Sequence, residues 1–124
     1  MLVIKIFVVL NYYKLMPSPK MKGYRTERKV RILFEKNKWI VTRAGASLGV
    51  ADLICMKKGG CVLLQIKSTK KKVFYYYEYM KEKFEGFPFY LVVDFGYGKI
   101  RILKPQKKVG IDSGMSLDKF LKSV

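Results

Sequence analysis

The strongest constraint on this chain is a pair of apolar runs separated by a glycine turn. Val50-Ala-Asp-Leu-Ile-Cys-Met56 and Cys61-Val-Leu-Leu-Gln-Ile-Lys67 are joined only by Lys57-Lys-Gly-Gly60. Such a pattern is a strand, a reversal at the glycines and a second strand. Trp39-Ile-Val-Thr-Arg43, short and β-branched, reads as a strand before it, followed by the small-residue loop Ala44-Gly-Ala-Ser-Leu-Gly49. From Tyr24 to Asn37, Val30, Leu33 and Phe34 recur at helical spacing, with Glu27 one turn before Val30. Downstream, the pattern predicts a short aromatic-rich helix over Tyr76–Phe84. Two strands follow, Phe89–Asp94 and Lys99–Leu103, around Gly96-Tyr-Gly98, and then a last helix, Leu117–Lys122, capped by Ser116. The order αβββαββα implies an α/β fold, a central mixed sheet of about five strands flanked by helices.

The two strands of the hairpin carry polar residues that an apolar sheet does not need. Residues two apart in a strand share a face, so Gln65 and Lys67 point one way while Val62, Leu64 and Ile66 point the other. Asp52 interrupts the preceding apolar strand, where an unpaired carboxylate is expensive, and the hairpin can bring it beside Gln65 and Lys67. Glu27 breaks the apolar pattern early in the first helix. Two explanations fit these residues equally. Asp52 and Lys67 form a partly buried ion pair with Gln65 as hydrogen-bond partner, or the group holds a hard divalent cation. Mg²⁺ takes oxygen ligands and keeps several waters, so one or two carboxylates, a backbone carbonyl and a substrate phosphate can complete its shell. Near a phosphodiester, such a cation activates water and offsets transition-state charge, with Lys67 placed to orient the water.

Composition narrows the partner. The chain has 124 residues, 26 Lys or Arg against 9 Asp or Glu, and a net charge of +17. A field that strong suits a polyanion, with nucleic acid first. Lysine enrichment also accompanies thermophily, but it then comes with matching glutamate, and here the acids are scarce. Only Glu27, Glu35 and Asp52 are acidic before residue 78. The chain contains no histidine, which excludes imidazole catalysis, His metal ligands and two-Cys two-His zinc fingers. Cys55 and Cys61 are too few for a disulfide framework or a four-ligand zinc site and read as reduced, buried thiols.

The length suits one domain. Residues 1–21 form an apolar prefix and a Pro17-Ser-Pro19 linker, either an added strand or sequence ahead of the native start, and 22–124 form the domain. Met1–Leu10 lacks the charged start and cleavage site of a signal peptide and is too short for a bilayer span of about 20 residues. A cytoplasmic, nucleoid-associated protein without a membrane partner is expected. The runs Lys70-Lys-Lys72 and Tyr75-Tyr-Tyr77 stand out locally. The lysines neutralise phosphates or form a solvated charged face. The tyrosines stack on unpaired bases or pack in a core or an interface.

Taken in order, Lys22-Gly-Tyr-Arg-Thr-Glu27-Arg28, Trp39-Ile-Val-Thr-Arg43-Ala-Gly-Ala-Ser47, Val50-Ala-Asp52-Leu-Ile and Cys61-Val-Leu-Leu-Gln65-Ile-Lys67-Ser-Thr-Lys70 resemble the archaeal Holliday junction resolvases, members of the PD-(D/E)XK nuclease superfamily. Ser113-Gly-Met-Ser-Leu117 resembles the start of that family's final helix. The resemblance implies a restriction-endonuclease-like fold and a Mg²⁺-dependent endodeoxyribonuclease, with Mn²⁺ as a substitute. The enzyme would resolve four-way DNA junctions in recombination and repair as a homodimer. It implies Glu27, Asp52 and Gln65 as metal ligands, Lys67 as the catalytic lysine and Ser47 as a loop hydroxyl near the scissile phosphate. Lys22, Arg25, Arg28 and Arg43 fall in regions that family uses to contact DNA, and Lys70, Lys71 and Lys72 adjoin them. Two departures stand out. Gln65 replaces the family's Glu, as in Mrr-like nucleases, and removes a negative charge. The segment between Lys72 and Gly86 is shorter than in the resolvases and carries the tyrosine run, in a region that helps form the family's dimer. An Mrr-like or general nuclease, and a catalytically weakened junction-binding protein, are the alternatives.

Overall fold

The structure is a computed structural model. It describes residues 19–44, 51–79 and 87–124, with side chains from residue 23 onward. The expected N-terminal strand, the loop bearing Ser47 and the Lys22 side chain lie outside the described residues.

Helix α1 spans Pro19–Lys36 and begins within the segment read as linker. Proline suits a first helical turn because its missing N–H would have no partner there. Val30 and Phe34, one turn apart, are fully buried. The helix stops where Asn37 donates to the Leu33 carbonyl (2.8 Å) and Lys38 takes a left-handed conformation (φ 70°). That turn folds Trp39 back edge-on to Phe34, with ring centroids 5.4 Å apart.

Strands β1 (Ile40–Arg43), β2 (Leu53–Lys57) and β3 (Gly60–Ser68) form an antiparallel meander, with Arg43 opposite Leu53 and Leu53 opposite Leu64. Gly59 (φ 86°) makes the predicted reversal. The chain next forms β4 (Val73–Tyr75), then β5 (Phe89–Asp94), which pairs parallel to β3. Strand β6 (Ile100–Leu103) is antiparallel to β5, β7 (Lys108–Gly110) pairs with β4, and β8 (Met115–Ser116) closes the edge beside β6. Helix α2 (Leu117–Ser123) begins at Ser116, whose hydroxyl accepts from the Lys119 amide. The main sheet thus has six strands in the order β1-β2-β3-β5-β6-β8, five of them the expected ones.

One face of the sheet packs on both helices. Val30, Phe34, Leu53, Cys55, Leu64, Ile66, Val92, Ile102, Leu117 and Phe120 meet there. Large aliphatic and aromatic side chains removed from water in this way contribute about 1.5–3 kcal/mol each. Among the described residues, the other face is covered by the two-stranded ribbon β4–β7, which closes over Leu91, Val93, Phe95 and Leu103 with Tyr76 and Val109. The helix expected over Tyr76–Phe84 does not begin at Tyr76. Tyr75 pairs with Lys108, the Tyr76 amide donates to the Lys107 carbonyl (2.8 Å), and Tyr77–Tyr79 form a turn. Aromatic and β-branched residues from Val73 to Tyr77 favour that pairing. Residues 80–84 lie outside the described residues. Both cysteines are free. Cys55 is buried, and burial, with Cys61 beside it, pushes its thiol up to about 12, while Cys61 is only half-buried.

The entry into β8 depends on Gly114. Its φ is +64°, and a Cβ there would lie 2.6 Å from both the Ile102 carbonyl oxygen and the Leu103 Cβ. Gly114→Ala should cost about 2–3 kcal/mol in denaturant unfolding. Gly59→Ala, at a positive φ but with nothing within 4 Å, should cost only about 1 kcal/mol. Equal losses would show that backbone conformation rather than the clash decides.

Candidate active site

Strand direction gathers the polar residues. The start of β2 and the ends of β1, β3 and β5 all fall at one end of the main sheet, because β1 and β3 run opposite to β2 and β5 runs with β3. The middle of α1 reaches the same end. Glu27 bonds to Arg43 at the end of β1, and Lys29 bonds to Asp94 at the end of β5.

Asp52 stands one residue ahead of the paired part of β2 and is held on both sides. Its carbonyl accepts from the Ala44 amide (2.9 Å), and its own amide donates to the Leu64 carbonyl (2.7 Å). Its carboxylate Oδ2 then accepts from the Ile66 amide at 2.7 Å, so a side chain takes over where the ladder ends. Burial pushes this carboxyl above its ordinary value of 3.8, although the Ile66 bond and the charges of Lys67 and Arg43 pull the other way. The influence of Lys67 and Arg43 places both cations in the neighbourhood of Asp52.

Glu27 lies on the face of α1 that carries Val30 and Phe34, with its side chain 15% exposed, and its Oε1 accepts from Arg43 Nε at 2.7 Å. Arg43 therefore pairs with one carboxylate and acts on the other through its charge alone. It also lies over the Tyr24 ring, 5.7 Å from the centroid, and keeps most of its surface open. Gln65 is buried, and its Oε1 accepts from the Tyr76 hydroxyl (3.2 Å). Lys67, half-buried, follows on the same face of β3. Arg25, Arg28, Lys70, Lys71 and Lys72 are exposed around this end. A cleft of about 440 Å³ beside it is lined by Arg25, Thr26, Ser68, Thr69, Lys70, Asp94 and Gly96.

The sequence marks neither Tyr76, within its tyrosine run, as a partner of Gln65 nor Asp94 as a neighbour of this site. Asp94 is buried, with one oxygen on Lys29 (3.0 Å) and the other on the Gly96 amide (2.8 Å). The local signal is Asp-Phe-Gly at a strand end, an aspartate capping its own turn. For Tyr76 the signal is period two, since Phe74 and Tyr76 turn inward together.

The donor chemistry fits a hard divalent cation. Two carboxylates and an amide oxygen belong to elements meeting at one sheet end, and Asp52 lies in surroundings that disfavour its charge. Among the described residues no three Asp, Glu, Cys or His side chains cluster to hold a metal; a cation held here would need the Gln65 oxygen and water beside Asp52 and Glu27. The Gln65 carbonyl has a second lone pair beyond the one Tyr76 uses. No described helix is long and apolar enough to cross a membrane.

The family profile described as archaeal Holliday junction resolvase (Hjc) matches residues 18–109. The fold is similar to the Hjc Holliday junction resolvase of the hyperthermophile Archaeoglobus fulgidus, with a TM-score of 0.64 at 15% identity, covering 82% of this chain and 96% of that one. It is also similar to a bacterial homing endonuclease, with a TM-score of 0.57 at 17% identity, covering 85% of this chain and 86% of that one. No curated protein sequence matches the chain.

The raised Asp52 carboxyl has a consequence for stability. The folded protein holds this proton more tightly than the unfolded chain does. The resulting stabilisation is full below the ordinary value of 3.8 and is lost as pH rises through the raised one. Asp52→Asn keeps an oxygen for the Ile66 amide and removes the charge. In chelator, thermal melts of the variant and the native chain should coincide in acid. At neutral pH the variant should be the more stable, by an amount on the order of 1 kcal/mol. A variant that melts lower at neutral pH would refute this account of the site.

Proposed function

The chain belongs to the archaeal Holliday junction resolvase family, and on that premise we propose that it is a Mg²⁺-dependent endodeoxyribonuclease cutting four-way DNA junctions in recombination and repair. One observation carries the reading. Asp52, Glu27, Gln65 and Lys67, from three separate stretches of a very basic chain, are brought to one end of the sheet by strand direction and by the Ile66–Asp52 bond.

In this reading Asp52, Glu27 and the Gln65 oxygen hold the cation, with Mn²⁺ as a substitute. When bound, the cation supplies a more acidic water and offsets charge on the phosphorane-like transition state. Lys67, one residue beyond the amide that binds Asp52, orients the attacking water or stabilises the negative charge that grows on the phosphoryl oxygens. The Ile66 amide keeps one Asp52 oxygen fixed, so the carboxylate needs no reordering when substrate arrives. Arg25, Arg28 and Lys70–Lys72 supply the phosphate contacts, along with Lys22 and Arg43. Arg43 swings between its Glu27 partner and the DNA backbone. Ser47 serves as the loop hydroxyl near the scissile phosphate. Binding then weakens steeply with salt, because each neutralised phosphate releases counterions. A four-way junction has two-fold symmetry, and a homodimer presents two such sites to opposing strands. The protein acts in the cytoplasm, at the nucleoid.

A second reading is a junction-binding protein with weakened catalysis. It is favoured by Gln65, which is neutral and whose oxygen is engaged by Tyr76. A labelled four-way junction and a linear duplex of the same sequence, each in Mg²⁺ and in Mn²⁺, separate the two. We expect paired nicks near the branch point, a loss of about 100-fold or more in Asp52→Asn, and faster cleavage by Gln65→Glu at low Mg²⁺. No cleavage in either metal, with tight junction binding retained, would leave the binding protein. Equal cleavage of junction and duplex would make it a general or Mrr-like nuclease.

A further inference from the structure

The tyrosine run alternates in and out. Tyr76 is buried and touches Gln65, while its neighbours Tyr75 and Tyr77 are 49% and 71% exposed. The two outward rings lie nearly parallel, 13° apart, with centroids separated by 6.2 Å. The pairing of β4 with β7 fixes this arrangement, since Tyr75 stands opposite Lys108 and the Tyr76 amide bonds to the Lys107 carbonyl. Lys107 extends its ammonium over Tyr77, 6.0 Å from the ring centroid. The exposed Lys70-Lys-Lys72 run leads into the same strand.

An exposed pair of rings framed by lysines suits one class of partner. Every nucleobase offers a flat π-face, and its phosphates offer the negative charge the lysines lack. A second copy of this chain fits poorly. A two-fold contact centred on this patch would set its lysines against themselves. Intact duplex fits poorly as well, because its bases are already stacked on one another. Branch points, nicks and single strands expose the faces that such rings can take. The position agrees with this use, because Tyr76, between the two rings, reaches through to the amide of the proposed centre.

We propose that Tyr75 and Tyr77 form a stacking platform for unpaired bases, so that this face selects branched or single-stranded DNA over duplex. The proposal rests on the junction-nuclease reading and deepens it by assigning part of the structure selectivity to a named surface.

The test compares the native chain with Tyr75→Leu/Tyr77→Leu, which keeps apolar bulk without π-faces, and Tyr75→Phe/Tyr77→Phe, which keeps the rings. Each is titrated against a four-way junction, a linear duplex of the same sequence and oligothymidine, over a series of salt concentrations. The leucine variant should lose about tenfold in affinity for the junction and for oligothymidine, in the range one stacked base contributes. Its duplex affinity and its salt slope should be unchanged, since no phosphate contact is removed. The phenylalanine variant should bind as the native chain does, and 2-aminopurine at the branch point should be quenched by both ring-bearing proteins only. Unchanged junction affinity in the leucine variant, or an equal loss on duplex, overturns the platform. A change of oligomeric state with junction affinity intact also overturns it, in favour of contact between copies. If the native chain binds none of the three DNAs, the junction reading itself falls and the platform with it.

Discussion

The bond from the Ile66 amide to the Asp52 carboxylate is where the sheet and the site become one object. Ladder pairing between β2 and β3 ends at Leu53 and Leu64, and the next β3 amide on the β2 side, that of Ile66, is taken by a side chain instead of a carbonyl. The exchange leaves a charged group at the sheet end with one oxygen committed. Its orientation is set by backbone rather than by another flexible side chain. Hydrogen bonds to a carboxylate are among the stronger ones available to an amide. A site built on them keeps its geometry at the cost of holding a charge in partly buried surroundings.

The scarcity of acids gives the rest of the electrostatics its order. Glu27 is taken by Arg43, Asp94 by Lys29, Glu35 by Arg31 and Asp118 by Lys122. The exposed helix pairs contribute little to stability. Those at the site end are different in kind, because Glu27 and Asp94 are largely buried and their partners cross between α1 and the sheet. Each ties the helix to a different strand end, and the middle of α1 is thereby pinned across the polar edge. The unpaired lysines remain as a field rather than as contacts, which is the arrangement a polyanion meets at long range.

What the sequence made legible, and what it did not, divides along contact distance. The hairpin, its glycine turn, the existence of the five main strands and the capped final helix all carry signals within ten residues of themselves, whereas the parallel pairing of β3 with β5 does not. Asp52, Gln65 and Lys67 were legible for a related reason, since polar side chains on apolar strands need an explanation. The ribbon β4–β7 was not, because it joins three-residue strands more than thirty positions apart and its pairing leaves no periodic trace. The Tyr76–Gln65 bond spans only 11 positions, but it forms because the ribbon folds over the sheet, and so it was hidden with the ribbon. Arg43 was read only as a DNA contact, and the charge count alone does not tell that its nearest partner is Glu27. The family match reaches the fold and the class of activity. The roles of individual side chains rest on the chemistry of their surroundings.

Because Tyr76 faces inward and its two neighbours outward, the stretch from Val73 to Tyr77 has a parity as well as a sequence. A single-residue insertion or deletion within β4 itself would shift the side chains that follow to the opposite face, turning Tyr76 away from Gln65 and its neighbours inward. One placed in the Lys70–Lys72 connection ahead of the strand can be absorbed by the loop and leaves both faces as they are. Length changes should therefore collect in that connection and not in the strand, while substitutions that keep the frame are comparatively free.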